Sequence, residues 1–527
     1  MVKFSNRDNS TEEEMSVADY FKKQYFELKH PHLPLVEIRV RDQQLYFPIE
    51  VLEVAPMQRY SPKLNEAMTA SMIKIAAKKP DDRFRIIQQK AEELRVFSNE
   101  LLSSFGVAFD NKFTNCKGMI LPPPVVKYSN TTVQVSGGSW NLRDVAALRP
   151  VEIGKWKVFY FRGRDRLRND VLDKFIEVAT RYGIRFPREH PVQEQISVVD
   201  EFFASEKEEF NMVVLPDKSA MRYEEIKRVA ETYTGHVTQC VLGANASSKM
   251  ANPNFIGNIL LKINAKMGGE NHSLSEGIFS DKATMLIGLN VQHPGVTDVD
   301  SPTVVAAVGS IDYDFVNYKT VIGTQKRRTE IVASLKETVT SLLRAHFTAT
   351  KKKPERIVFF RDGLGDSAFE AVFTQEISAM KEALAAMEKN YHPELNFIVA
   401  QKRHSVRFAG EQDMGNLAPG TLVGGMGNEA PIDFFLVSAH ALQGTARPTR
   451  YKVLLNESGF TQEALHTSIF SLCHLYARAT KSVSVVPPIY YANLAAVRGK
   501  AYFERNEGDV VEMRDVIRKI SSNLFYL

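Results

Sequence analysis

The chain has 527 residues, enough for three or four domains at roughly 150 residues each and for sizeable buried cores, which excludes a peptide, a minimal module or a disulfide-stapled scaffold. Apolar residues make up 44% and charged residues 24%, the balance of a folded chain rather than a disordered or fibrous one. Lys and Arg total 67 against 62 Asp and Glu, so the net charge of +5 leans only mildly toward acidic partners, and any nucleic-acid site must be a local groove.

The opening stretch is polar and Glu-rich, and the apolar content rises at Tyr20 and Phe21. Short strand-like runs at 36–40 and 45–54 are broken by Pro31, Pro34 and Pro48, a piece too small for a core of its own. From 61 to 102 the pattern is helical, with a charged face and no glycine, as in a connecting arm. Pro122, Pro123 and Pro124 then stop regular structure, because consecutive prolines fix φ and remove donors. A domain boundary is expected there.

Beyond it, 156–161 reads as a buried strand, 169–182 as a helix ended by Gly183, and 212–215 as another strand. A helix over 222–234 has Ile226, Val229, Ala230 and Tyr233 on one face and Gly235 as its stop. Another, 255–267, turns Ile256, Ile259, Leu260 and Ile263 inward before Gly268 and Gly269. Alternating strands and helices predict an α/β domain with a parallel sheet. The last half opens with apolar runs at 285–289, 304–308 and 319–322. A long helix is predicted over 326–348, then a strand 357–360, a helix 367–389, strands 397–400, 434–437 and 451–455, and a helix 462–476. Three strands, a helix, then strand–helix alternation is the order of a ribonuclease H-like domain.

Cys116, Cys240 and Cys473 are far apart and odd in number, so neither a disulfide framework nor a paired-cysteine metal site fits, and a reducing compartment is expected. No apolar run approaches the ~20 residues of a membrane helix, and the N-terminus lacks the apolar region of a secretory signal. The expected location is the cytoplasm or the nucleus.

Two helices carry the first candidate chemistry. Tyr223 and Lys227 are spaced i, i+4, which puts a ring and an ammonium on one side of a helix, and Lys262 and Lys266 repeat the spacing on the other. Side by side, these helices would gather three ammoniums and a ring, suited to a terminal phosphate with a stacked base. Taken alone, the same lysines also read as solvated flanks of amphipathic helices. A second basic element, Lys155, Lys157, Arg162, Arg164, Arg166 and Arg168, reads first as a strand entering a solvated turn. In the last domain the strand 357–360 runs into Arg361, Asp362 and Gly363. Asp362, just past a buried strand, is where a metal-binding carboxylate is often presented, although an Asp-Gly pair is also a common turn. Two-metal phosphodiester hydrolysis needs several carboxylates, or carboxylates and His, around the cations. His404, His440 and His474 read as locally hydrogen-bonded side chains.

From residue 20 to 527 the chain resembles eukaryotic Argonaute proteins of the Argonaute/Piwi superfamily. The segments that carry the resemblance are YFKKQY…HPHLPL (20–35), LPPP (121–124), MRYEEIKR (221–228), TQC (238–240), LLKINAKMGG (260–269), GLNVQHP (288–294), RDG (361–363), QKRH (401–404), QGTARP (443–448) and IYYANLAAVRG (489–499). It implies a partial PAZ domain at 1–60, a linker at 61–124, a Rossmann-like MID domain at 125–272 and a ribonuclease H-like PIWI domain at 273–527. By motif, Tyr223 matches the residue that stacks on the guide's first base, and Lys227, Gln239, Lys262 and Lys266 match its 5′-phosphate ligands. Tyr490 and Arg498 match positions reaching toward that pocket from PIWI, and Arg478 matches a guide-backbone contact.

Members that cut their target hold two divalent metals with Asp, Glu, Asp and a fourth His or Asp. Glu330 and Asp362 match the second and third of these, but Asn290 and Asn493 stand at the first and fourth. An amide has the shape of a carboxylate without its charge, so the set is degenerate, with Asp362 left as the candidate metal ligand. The resemblance therefore implies a protein that binds a small guide RNA and pairs it with target RNA for gene silencing without cutting. Mg²⁺ is expected, if anywhere, at the 5′-phosphate or the degenerate site, and silencing-complex proteins are further expected partners. Two alternatives are a guided endonuclease using Glu330, Asp362 and a neighbouring carboxylate such as Asp312, and a truncated scaffold that docks silencing partners without a guide.

Overall fold

The computed structural model describes residues 2–5, 12–40, 43–58, 60, 64–199, 209–295, 298, 300–424, 432–506 and 509–527. The chain divides into two compact units, 1–69 and 70–527. In the first, strands Val2–Ser5 and Glu12–Met15 pair antiparallel, as do Leu35–Val40 and Gln43–Pro48. Ser16 caps the helix Val17–Gln24 by accepting from the Asp19 amide at 3.0 Å. The strand predicted over 45–54 ends at Pro48, where the chain turns into a 3₁₀ segment, Ile49–Val51.

The arm predicted over 61–102 is two helices, Glu66–Ala76 and Pro80–Glu93. Pro80 starts the second, since a proline in the first helical turn forfeits no intrahelical hydrogen bond. Residues 61–63 lie outside the described residues. The arm ends as part of a sheet: Met119–Ile120 pairs with Thr421 and Leu422. The prolines at 122–124 therefore sit between two short strands, Met119–Ile120 and Val125–Lys127.

A four-stranded parallel sheet follows, ordered Val237–Leu242, Phe210–Leu215, Trp156–Tyr160, Val192–Gln195. Phe210–Leu215 is buried at every position, as expected of a strand covered on both faces. The sequence reading missed the two outer strands, 192–195 and 237–242, whose polar residues break the apolar run. Helices Asn169–Arg181, Ala220–Val229 and Pro253–Lys266 accompany the sheet. The second continues through a π turn, Ala230–Thr234, and stops at Gly235 with φ 71°.

The larger sheet has nine strands. Its first five run Tyr318–Gln325, Thr303–Ser310, Thr284–Gln292, Arg356–Asp362, Glu394–Gln401, antiparallel through the first three and parallel from the third to the fifth. This is the ribonuclease H-like arrangement. Thr449–Asn456, Asp433–Val437, Thr421–Gly424 and Met119–Ile120 extend it.

Two helices depart from their predicted spans. The helix predicted from 326 begins only at Leu335, because Arg328 adopts φ 59° and donates its amide to Thr303 Oγ1 at 2.9 Å. Glu330 is therefore on a loop. The helix predicted over 462–476 ends at Leu472. A further helix, Pro487–Gly499, was not predicted. It lies on the nine-stranded sheet at two glycines: a Cβ on Gly288 would stand 2.3 Å from the Pro488 backbone, and one on Gly499 2.8 Å from Ile322.

Buried side chains from both sheets, from Leu121 to Leu527, form one continuous core. The helices Leu335–Thr350 and Phe369–Met387 close a second core on the other face of the larger sheet. Among the described residues no helix is long and apolar enough to cross a membrane.

Candidate nucleic-acid interface

The helices carrying the four candidate residues flank the strand Val237–Leu242. Ser219 caps the first, accepting from the Arg222 amide at 3.4 Å, and Asn252 caps the second, with Pro253 in the first turn. Lys227 donates to the Thr238 carbonyl at 3.0 Å and to Thr238 Oγ1 at 2.6 Å. Lys266 donates to the same carbonyl at 3.1 Å and to Gln239 Oε1 at 3.0 Å. Two ammoniums, 1% and 2% exposed, thus converge on one neutral carbonyl. Burial first, then Lys227 and Arg498, hold Lys266 well below the usual lysine range. Half-buried Lys262 is pushed down to about 8 by burial, then by Arg478 and Lys227. These lysines are therefore not solvated flanks. They form a desolvated cationic cluster that an anion would relieve.

The C-terminal end of the helix Pro487–Gly499 brings Arg498 into this cluster. Arg498 pairs with Glu231 and donates to Tyr223 OH at 2.8 Å and to the Tyr526 carbonyl at 3.2 Å. Burial opposes its charge, but Glu231 more than offsets this and raises the guanidinium above its ordinary range. Tyr502 OH donates to the other Glu231 oxygen at 2.5 Å, while Lys227 stands 3.7 Å from Glu231. The Tyr223 ring lies between two cations, Arg498 at 5.5 Å and Lys227 at 5.8 Å from its centroid. Sequence reading missed Glu231, Thr238 and Tyr502; for Glu231 the signal was present, four residues after Lys227 on the same face.

Tyr490 is elsewhere. It packs on Tyr476, ring centroids 4.6 Å apart, and lines a cleft of about 390 Å³ with Asn290, Glu330, Asp362, Lys402, Arg403 and Asn493. The structure thus brings the four positions of the degenerate set into one cleft. Asn290 Nδ2 donates to Asp362 Oδ2 at 2.6 Å, and burial raises the Asp362 carboxyl above its usual range. Glu330 is occupied on both oxygens: His293 Nε2 lies 2.9 Å from one, and Arg361 donates to the other at 2.9 Å. Arg361, fully buried, also pairs with buried Glu376 at 3.2 Å.

This donor set does not fit two divalent cations. An amide N–H points at Asp362 where a carboxylate would be needed, and Glu330 is already held by Arg361 and His293. Among the described residues no group of three or more His, Cys, Asp or Glu side chains is placed to hold a metal ion. At the lysine cluster the one acidic partner described, Glu231, is taken by Arg498 and Tyr502.

Asp312 does not join the cleft. Its carboxylate accepts from the Val316 and Asn317 amides at 3.1 and 2.8 Å, in the turn after the strand Thr303–Ser310, and it lines a different cavity with Arg149 and Glu270. Enclosure of the carboxyl, and to a lesser extent Glu270, raise it to about 7. A carboxyl with a raised folded pKa holds its proton more tightly when folded, so its contribution to stability falls as pH rises from the ordinary carboxylate range to about 7, then levels. Asp312→Asn should flatten the melting temperature between about pH 5 and pH 8 relative to the parent. Equal slopes in the two proteins would show that Asp312 is ionised throughout.

Half of the basic element at 155–168 is paired with carboxylates, Lys157 with Glu194 at 3.3 Å, Arg162 with Asp217 at 3.8 Å and Arg168 with Asp170 at 2.5 Å. A different cationic surface, not foreseen, gathers Arg83, Arg407 and Arg447. Burial, then Arg447 and Arg83, push Arg407 below its usual range, and its Nε is buried without an acceptor.

A family model described as Piwi domain matches residues 210–504, and one described as PAZ domain matches residues 1–73. Protein argonaute 5 of Arabidopsis thaliana is 32% identical over 96% of this chain and 55% of its own length. Protein argonaute PNH1 of Oryza sativa subsp. japonica is 31% identical over 93% of this chain and 55% of its own. The chain spans about half the length of these curated relatives. Among solved structures, Kluyveromyces polysporus Argonaute with a guide RNA matches with a TM-score of 0.78 at 24% identity, over 97% of this chain and 64% of that one. Drosophila Piwi matches at 0.75 and 20% identity, over 100% and 70%. At these identities the structural likeness concerns the fold.

Proposed function

Because the chain belongs to the Argonaute/Piwi family, we propose that it holds a small guide RNA by its 5′-phosphate in the lysine cluster and pairs it with target RNA for gene silencing, without cutting the target. In this reading 125–272 is the MID domain and 273–527 the PIWI domain, the protein works in the cytoplasm or nucleus, and silencing-complex proteins are its further partners. One observation carries it: Lys227 and Lys266, both almost fully buried, share a single carbonyl acceptor, while the nearby carboxylate Glu231 is paired with Arg498. Such an arrangement leaves a deficit of negative charge that a terminal phosphate dianion would fill with charge-assisted hydrogen bonds. Tyr223 supplies a ring beside that position for a stacked base. Arg478, Arg407 and Arg447 supply cations for the sugar-phosphate backbone, while sequence is read by base pairing.

The absence of cutting rests on the Asn290–Asp362 hydrogen bond. Protein purified from its own cells should carry small RNA with 5′-phosphates, and a loaded, matched target should stay intact in Mg²⁺ or Mn²⁺. Guided cleavage abolished by Asp362→Ala would establish the endonuclease instead. Protein without any small RNA, and with equal affinity for 5′-phosphorylated and 5′-hydroxyl RNA, would leave a scaffold.

A further inference from the structure

A cavity of about 810 Å³ lies between the helix Leu335–Thr350, the strand Tyr318–Gln325 and the C-terminal segment around Arg518. It shares no lining residue with the cleft at Asp362 and none with the lysine cluster. On the helix, Lys336, Thr340, Arg344 and Thr348 follow one another at four-residue spacing and form a single stripe, with Lys336 and Arg344 about 12 Å apart along the axis. Lys319 and Arg518 face that stripe from the opposite wall.

Among the described residues four cations therefore surround one cavity, and the single carboxylate in its lining is Glu337. Lys336 is partly neutralised by Glu382 at 3.1 Å. Lys319 is bonded to the Ser521 hydroxyl, a neutral partner. Among the described residues neither Arg344 nor Arg518 has a carboxylate partner. Burial and then Arg518 hold Lys319 below its usual range, so the empty cavity carries like-charge repulsion of the kind an anion removes.

We propose that this cavity is a binding site for a compact polyphosphate, a small molecule bearing several phosphate groups. Its volume falls within the usual range for small-molecule sites, and its cations converge from facing walls, as a compact ligand requires. Among the described residues no aromatic side chain lines it, which removes the stacking platform that single-stranded nucleic acid or a nucleotide base would use. The hydroxyls of Thr340, Ser341 and Ser522 supply neutral partners for phosphate oxygens or for the hydroxyls of a cyclic polyol. The site requires nothing of guide binding and stands whether or not the lysine cluster holds RNA.

The full chain would be titrated with myo-inositol hexakisphosphate, inorganic pyrophosphate and 5′-hydroxyl RNA, by calorimetry and thermal shift, at about 0.15 M salt. The expected result is one hexakisphosphate bound per chain with a raised melting temperature, unchanged in Lys227→Ala. Arg344→Ala combined with Arg518→Ala should weaken binding by about tenfold or more, and should leave discrimination of the RNA 5′-end untouched. Ser341→Glu, at an exposed position, places a carboxylate in the cavity and should do the same. The proposal falls if sulfate at matched ionic strength gives an equal shift, if the double variant and Ser341→Glu bind like the parent, if binding disappears in Lys227→Ala, or if 5′-hydroxyl RNA displaces the ligand.

Discussion

Lys266→Met should lower affinity for 5′-phosphorylated RNA by roughly 100-fold, leave affinity for 5′-hydroxyl RNA nearly unchanged, and raise the melting temperature of the RNA-free protein. The first effect follows from removing a desolvated charge-assisted hydrogen bond, about 1.5–3 kcal/mol, where about 1.4 kcal/mol is tenfold. The third follows from the apo geometry. Lys266 is 2% exposed, its acceptors are neutral, and Lys227 and Arg498 both disfavour its charge. Methionine keeps most of the volume and removes the repulsion. Fluorescence anisotropy with two RNAs differing only at the 5′ end, beside a thermal melt, reads all three. An equal loss for both RNAs would assign Lys266 to general backbone binding, and a lower melting temperature would make it a structural lysine.

Arg498→Met should do the opposite to stability, costing about 3 kcal/mol, the lower end of the range for breaking a buried pair. Glu231, 2% exposed, would keep Tyr502 OH at 2.5 Å and Lys227 at 3.7 Å, which moderates the loss. Changing Glu231→Leu in the same chain should return much of it, because the uncompensated carboxylate leaves with its partner. Both tryptophans, Trp140 and Trp156, are buried in the continuous core, so their fluorescence during denaturant unfolding reports its loss. Additive losses in the double variant would show that the two residues do not act as a pair.

These opposite signs explain what could be read in the sequence. Helical spacing placed Tyr223 with Lys227 and Lys262 with Lys266, and the structure has those helices at nearly the expected limits. Spacing along one helix carries no information about charge balance between elements, so it gave no sign that Glu231 closes on Arg498 of a distant helix. That helix, Pro487–Gly499, was itself not predicted; Pro487 and Pro488 occupy its first turn, where proline starts a helix rather than ending one. The reverse error extended the helix at 335 back to 326: Ile331 and Val332 continue the apolar period, but the positive φ of Arg328 breaks it. That break leaves Glu330 on a loop, free to meet His293 and Arg361. The order of the nine-stranded sheet was legible through its fifth strand. The hydrogen-bonding of its far edge to Met119–Ile120 was not, since two-residue pairing leaves no periodic trace.

The helix Pro487–Gly499 has one further consequence. Asn493 and Tyr490 line the cleft at Asp362, and Arg498 ends in the lysine cluster, so one rigid rod fixes the spacing between the two places, about 12 Å of axial rise from Tyr490 to Arg498. Gly288 and Gly499 let that rod lie close on the sheet, since a Cβ at either would collide with Pro488 or Ile322. The helix is a measuring stick: it holds the cleft and the cluster at a set separation along its axis.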